Sequence, residues 1–134
     1  RITPTGRYLM PREWGRDAFF TFMPRERNDG YGDVHAVTLQ WAQNFVNQRC
    51  KLSITGGYFD LPDVKNVALN KYGMPSYAQA NVDVRYRFAG WFKGLEGQVL
   101  YVHKWKLGEN HGNDKFVYNK VDMSLLNVVL NFYF

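Results

Sequence analysis

Nucleophiles, metal ligands and acid–base groups are sparse in this 134-residue chain, and their spacing does not assemble them. His35, His103 and His111 stand far apart, with no HxH or HExxH pair to hold zinc. The stretches PRERND (24–29) and GYGDVH (30–35) carry several oxygens, but neither has the D-x-D-x-D-G spacing of a calcium loop. GLEG (94–97) has no strand–loop–helix context to cradle a phosphate. Ser53, Ser76 and Ser124 lack the glycine pattern of a nucleophile elbow. Cys50 is alone, which excludes an intrachain disulfide and favours a packed thiol. No enzymatic activity, metal or cofactor is expected. What repeats instead is charge at two-residue intervals: Asp83, Arg85 and Arg87 in one stretch, Lys104 and Lys106 in another. Residues two apart share a face of an extended strand, so each set presents fixed charge on one side of a sheet.

Those charges sit in stretches that alternate with period two from residue 34 onward. In VHAVTLQWAQNF (34–45), Val37, Leu39, Trp41 and Phe45 share a face opposite Thr38, Gln40 and Asn44. In KLSITGGYF (51–59), Leu52, Ile54 and Tyr58 oppose Ser53 and Thr55. YAQANVDVRYRF (77–88) is the cleanest. Ala78, Ala80, Val82, Val84, Tyr86 and Phe88 alternate there with Gln79, Asn81, Asp83, Arg85 and Arg87. GLEGQVLYVHKWKL (94–107) blurs in its middle, with Val99, Tyr101, Trp105 and Leu107 assigned outward and Glu96, Gln98, Lys104 and Lys106 inward. KFVYNKVDMSLLNVVLNFYF (115–134) is expected as the last strand. Aromatic content of 17% with a mean hydropathy of −0.43 fits sheets with one apolar and one polar face, and fits a helical bundle poorly.

Residues 1–33 read as a loop-rich segment with a short strand expected over 18–23, and 34–134 as a five-strand meander. Turns at VNQR (46–49) and AGWFKG (89–94) are short, while LPDVKNVALNKYGMPS (61–76) and GENHGND (108–114) are longer. Short and long connections in alternation are a habit of outer-membrane barrels. No apolar run is long enough for a transmembrane helix, a test that transmembrane strands escape. Trp91, Phe92, Phe88, Phe45 and Phe134 gather at the short-turn ends; Tyr58, Tyr77, Trp105 and Phe116 gather at the other ends. Two aromatic belts are thus expected. Five or six strands fall short of the roughly eight that a single-chain barrel needs, and an open sheet cannot sit in lipid. The chain is therefore expected to be the C-terminal part of a larger barrel, or one of several chains building it.

In the last stretch Leu126, Val128, Leu130, Phe132 and Phe134 fall on one face and are all apolar. This row, closing on a terminal Phe, resembles the signal by which outer-membrane proteins engage the barrel-assembly machinery. On the other face Met123, Leu125 and Val129 are too apolar for a watery lumen, so an inward loop is expected over them. GWFKGLEGQVLYVHKW (90–105), GENHGND and the closing strand resemble the end of OprD-type porins. REWGRDAFFTFMPRERNDG (12–30) is similar to a stretch of Bacteroidetes-type members.

The resemblance implies a transmembrane antiparallel up-and-down β-barrel in the bacterial outer membrane. It also implies a channel for passive uptake of small, carboxylate-bearing solutes, narrowed by inward-folded loops and guided by a basic row on one wall. Carried onto this chain, the pore-lining candidates are Asn81, Asp83, Arg85, Arg87, Glu96, Lys104 and Lys106. The inward-loop candidates are Arg12, Arg16, Arg25 and Arg27. Implied partners are outer-membrane lipid, the assembly machinery, the solute, and the remaining strands, from the rest of the chain or from other chains. Nucleic acid is not among them. The competing reading is a soluble β-barrel or sandwich that binds a ligand, with single-stranded nucleic acid on Arg and Tyr as one case. The net charge of +5 permits anionic partners under either reading.

Overall fold

The structure, a computed structural model, describes residues 1–10 and 19–134. It is all-β, with five strands: β1 (His35–Phe45), β2 (Cys50–Asp60), β3 (Tyr77–Arg87), β4 (Leu95–Lys106) and β5 (Met123–Phe132). They pair antiparallel in chain order as one open sheet, β1-β2-β3-β4-β5. Residues 46–49 join β1 to β2. Val46, Asn47 and Gln48 there take φ of 53°, 51° and 67°, and the Arg49 N–H donates to the Val46 carbonyl at 3.1 Å. Successive left-handed residues match the twist of the flanking strands; of the three, Asn47 suits that region best. Between β3 and β4 a 3-10 turn, Gly90–Phe92, leads into Gly94 at φ 96°. A Cβ at Gly94 would meet the Tyr133 carbonyl at 2.6 Å, so glycine lets the C-terminal residues pass.

The register sorts the side chains into two unlike faces. Asn44, Lys51, Arg85, Gln98 and Val129 form one cross-strand row; Trp41, Ile54, Val82, Tyr101 and Leu126 form a row on the opposite face. Burial then runs against the usual order, in which the apolar face packs on a core. On the polar face Gln79 and Asn81 are 1% and 2% exposed, whereas Leu126 and Leu130 on the apolar face are 63% and 69% exposed. The sheet is inside out.

The core lies at the long-loop end of the polar face, where Met23, Tyr31, Val34, Phe59, Met74, Tyr77 and Val121 cluster. Phe59 and Tyr77 rise from β2 and β3 and stack at 4.8 Å. Met23 reaches the sheet because Gly57 leaves space for it: a Cβ there would come within 2.6 Å of the Met23 sulfur. Loop 61–76 is held by Asn70, whose side-chain amide donates to the Pro62 and Met74 carbonyls at 2.8 Å each. Its Oδ1 accepts from the Met74 N–H at 3.0 Å. His111 and Asp63, 2.7 Å apart, fasten loop 107–122 to it.

Several expectations change. Residues 19–23 form a turn rather than a strand: Phe22 N–H donates to Phe19 O, and the Met23 and Glu26 N–H groups are taken by Glu26 Oε2 and Met23 O. The last strand starts at Met123, not residue 115. The Asn113 side chain caps a 3-10 turn, Asp114–Phe116, and positive φ at Asn119 and Asp122 breaks the extended chain before β5. Tyr77 belongs to the core rather than to a belt. Phe116 lies against Gly73 in the loop packing, flanked by the Lys115 and Lys120 ammonium groups.

Candidate functional site

The polar face is the part of this molecule with chemistry to offer, and alternation along each strand puts it together. Toward the short-turn end the charges lie in two adjacent rows. One holds Lys51 and Arg85; the next holds Arg87 and Glu96, with Arg49 beside Arg87 through the Arg87 N–H bond to its carbonyl. Arg85 pairs with Asp83 at 3.2 Å, and Arg87 with Glu96 at 2.9 Å. Asp83 also accepts from the Gln98 amide at 2.9 Å. Arg49, Lys51, Arg85, Arg87, Glu96 and Tyr133 line a cavity of about 370 Å³. Counting Asp83 beside it, four cations face two carboxylates, which leaves an excess of two positive charges. That excess attracts anions, while the ion pairs hold the arginines in place.

Toward the long-loop end the polar face is covered by the chain itself. Gln79 Nε2 donates to the Pro24 carbonyl at 2.8 Å and to Asn81 Oδ1 at 2.9 Å, and Asn81 Nδ2 donates to the same carbonyl at 3.3 Å. Lys104 Nζ donates to the Arg25 carbonyl at 2.8 Å. The Arg25 guanidinium reaches Asn127 at 3.2 Å, and Arg27 lies over the Tyr72 ring at 5.1 Å. Arg25 adopts φ 68°, a left-handed bend in the segment. Below it lie Leu100, Val102, Met123 and Leu125, the inward apolar residues that blur the alternation of β4 and β5.

The candidates therefore separate. Asp83, Arg85, Arg87 and Glu96 stand together. Asn81 and Lys104 hold the covering segment, with Arg25 and Arg27 upon it. Lys106 turns to the loop, its ammonium 3.2 Å from Asn110 Oδ1. Arg12 and Arg16 lie outside the described residues. Arg49, Lys51 and Lys120 join the site without having been singled out. Lys51 was legible, since it precedes Ser53 and Thr55 on the same alternating face. Lys120 was not, because it arrives through a loop. Its ammonium donates to the Tyr72 and Lys115 carbonyls at 2.7 and 2.9 Å. Burial, then the nearby Lys115, pushes it below the ordinary lysine range. Burial, then Tyr72, pushes the Tyr31 phenol above its ordinary value, with Arg27 opposing.

The apolar face carries Leu126, Val128, Leu130 and Phe132 outward, and the Phe134 ring packs edge-on against Phe132 at 5.1 Å. Three of its polar side chains satisfy one another. The Ser124 hydroxyl hydrogen-bonds with His103 Nδ1 at 2.7 Å and with the Tyr101 hydroxyl at 3.1 Å, and the His103 ring leans on Trp105. Among the described residues no helix is long and apolar enough to cross a membrane, which says nothing of strands. No protein-family model matches the chain, and no curated protein or solved structure matches it either.

Proposed function

We propose that this sheet is part of the wall of an outer-membrane β-barrel channel, of OprD-like type, whose polar face guides small carboxylate-bearing solutes. The observation that carries the reading is the inverted burial. At its long-loop end the polar face is covered by the protein's own segment, while the apolar face stays uncovered. Lipid is the environment in which such a face is stable. Strands of 10 to 12 residues fit the roughly 9–11 that cross a bilayer. The excess of cations between the two arginine pairs supports a preference for anions.

The reading requires further strands, from the rest of the protein or from other chains, to satisfy the outer edges of β1 and β5. It also gives the terminal row through Phe134 a role in meeting the assembly machinery. The test is fractionation followed by reconstitution. The protein is expected in detergent extracts of the outer membrane, and in planar bilayers it should pass small carboxylates in preference to cations. Recovery as a soluble monomer without detergent would overturn the proposal in favour of a soluble ligand-binding sheet.

A further inference from the structure

Between the covering segment, the sheet and loop 107–122 lies a cavity of about 360 Å³, within the size range of small-molecule sites. Its wall carries four cations, Arg25, Arg27, Lys104 and Lys120, and no carboxylate. Among the described residues none of the four belongs to an ion pair. They are held by neutral groups: the Arg25 and Tyr72 carbonyls, the Asn127 amide and the Tyr72 ring. All four have N–H donors to spare. Two carboxylates lie near the cavity: Glu26, whose field reaches Lys104 and whose Oε2 accepts from the Met23 N–H at 2.8 Å, and Asp29, whose Oδ2 lies 3.5 Å from the Tyr72 hydroxyl. Four positive charges less these two leave an excess of two. The remaining wall is largely apolar, with Val102, Met123 and Leu125 as its floor and Met74 above.

We infer that this cavity binds a doubly charged anion with an apolar body, of the aryl phosphate class. Cations gathered in a partly buried space repel one another until countercharge arrives. A monocarboxylate cancels one unit. A phosphomonoester brings nearly two and offers three oxygens to guanidinium and ammonium donors, while its ring covers the floor. The cavity opens on the polar face, opposite the exposed apolar one, so a lipid headgroup is not the source of the phosphate. The inference rests on the channel reading only for the route by which the solute arrives.

The test uses the full-length protein in detergent micelles near neutral pH, above the second phosphate pKa of about 6. Phenyl phosphate, benzoate, inorganic phosphate and benzyl alcohol are titrated by calorimetry. Phenyl phosphate is expected to bind at least about tenfold more tightly than each of the others. Arg27→Gln and Lys120→Gln should each weaken it about fivefold or more, with Lys93→Gln as the unaffected control. Benzoate or inorganic phosphate binding as tightly as phenyl phosphate overturns the inference, as does an affinity that neither variant changes. If this pattern holds but no conductance is found, the channel reading falls and the cavity inference stands. Conductance without phenyl phosphate binding overturns the inference alone.

Discussion

The Gln79 amide donates to the Pro24 carbonyl at 2.8 Å, across 55 positions of sequence, and so ties the third strand to a segment that precedes the first. Gln79→Ala removes that bond and the one to Asn81, at an expected cost of about 1–3 kcal/mol. Faster hydrogen exchange at the Glu26 amide, which closes the turn onto Met23, reports the loosening. An unchanged exchange rate would show that the segment is held by other means.

Val82 stands at the middle of the uncovered face, in the row of Ile54 and Tyr101. In a bilayer Val82→Arg should destabilise by about 2–4 kcal/mol, whereas on a water-exposed sheet the change is about 0.5 kcal/mol or less. Urea unfolding from lipid vesicles measures the difference.

Arg87 is partly neutralised by Glu96 at 2.9 Å. One unit charge about 10 Å from a passing ion in water is worth about 0.4 kcal/mol, a factor of about two. Glu96→Gln should therefore raise the anion-to-cation permeability ratio by about that factor. Lys51→Ala, Arg85→Ala and Arg87→Ala should each lower it. Reversal potentials in planar bilayers give the ratio.

Asn70 makes three hydrogen bonds while 1% exposed. Asn70→Ala leaves the Met74 N–H and two carbonyls without their partner and should cost about 2–4 kcal/mol. Loss of protease resistance confined to loop 61–76 is the expected signature.

Asp63 is held below the ordinary carboxylate range, first by the Lys65 N–H and then by His111. A carboxylate whose folded pKa is depressed contributes stability present above its unfolded pKa, about 3.9, and lost as pH falls through the folded value. Acidification through that window should release loop 61–76 from loop 107–122. Both partners are solvent-accessible, so the effect is local. Amide exchange at Lys65, followed against pH, should show the release in the native protein. In Asp63→Ala the Lys65 amide should be unprotected at every pH.

Strand positions and faces were legible because alternation is a local property: β3 runs from Tyr77 to Arg87 as its pattern dictates. The ends of β5 were not, since Phe116, Val117 and Val121 alternate plausibly until Asn119 and Asp122 turn left-handed. Residues 19–23 misled for a similar reason. Phe19, Phe20 and Phe22 read as a strand, yet Met23 is drawn instead to the space over Gly57, a contact between residues 34 positions apart. The charged wall was half legible: Arg85 and Arg87 announce themselves by spacing, but their pairing with Asp83 and Glu96 depends on register and rotamer. Lys120 could not be found from spacing at all, because a loop fold delivers it.

Gln79 and Lys104 on the wall grip the covering segment by main-chain oxygens, those of Pro24 and Arg25. Any residue offers such an oxygen. These two bonds are thus indifferent to which side chains the segment bears: exchanging Arg27 leaves them intact, and exchanging Arg25 gives up only its further bond to Asn127. One frame could in this way be relined for different cargo, as a lock is rekeyed without moving its bolt.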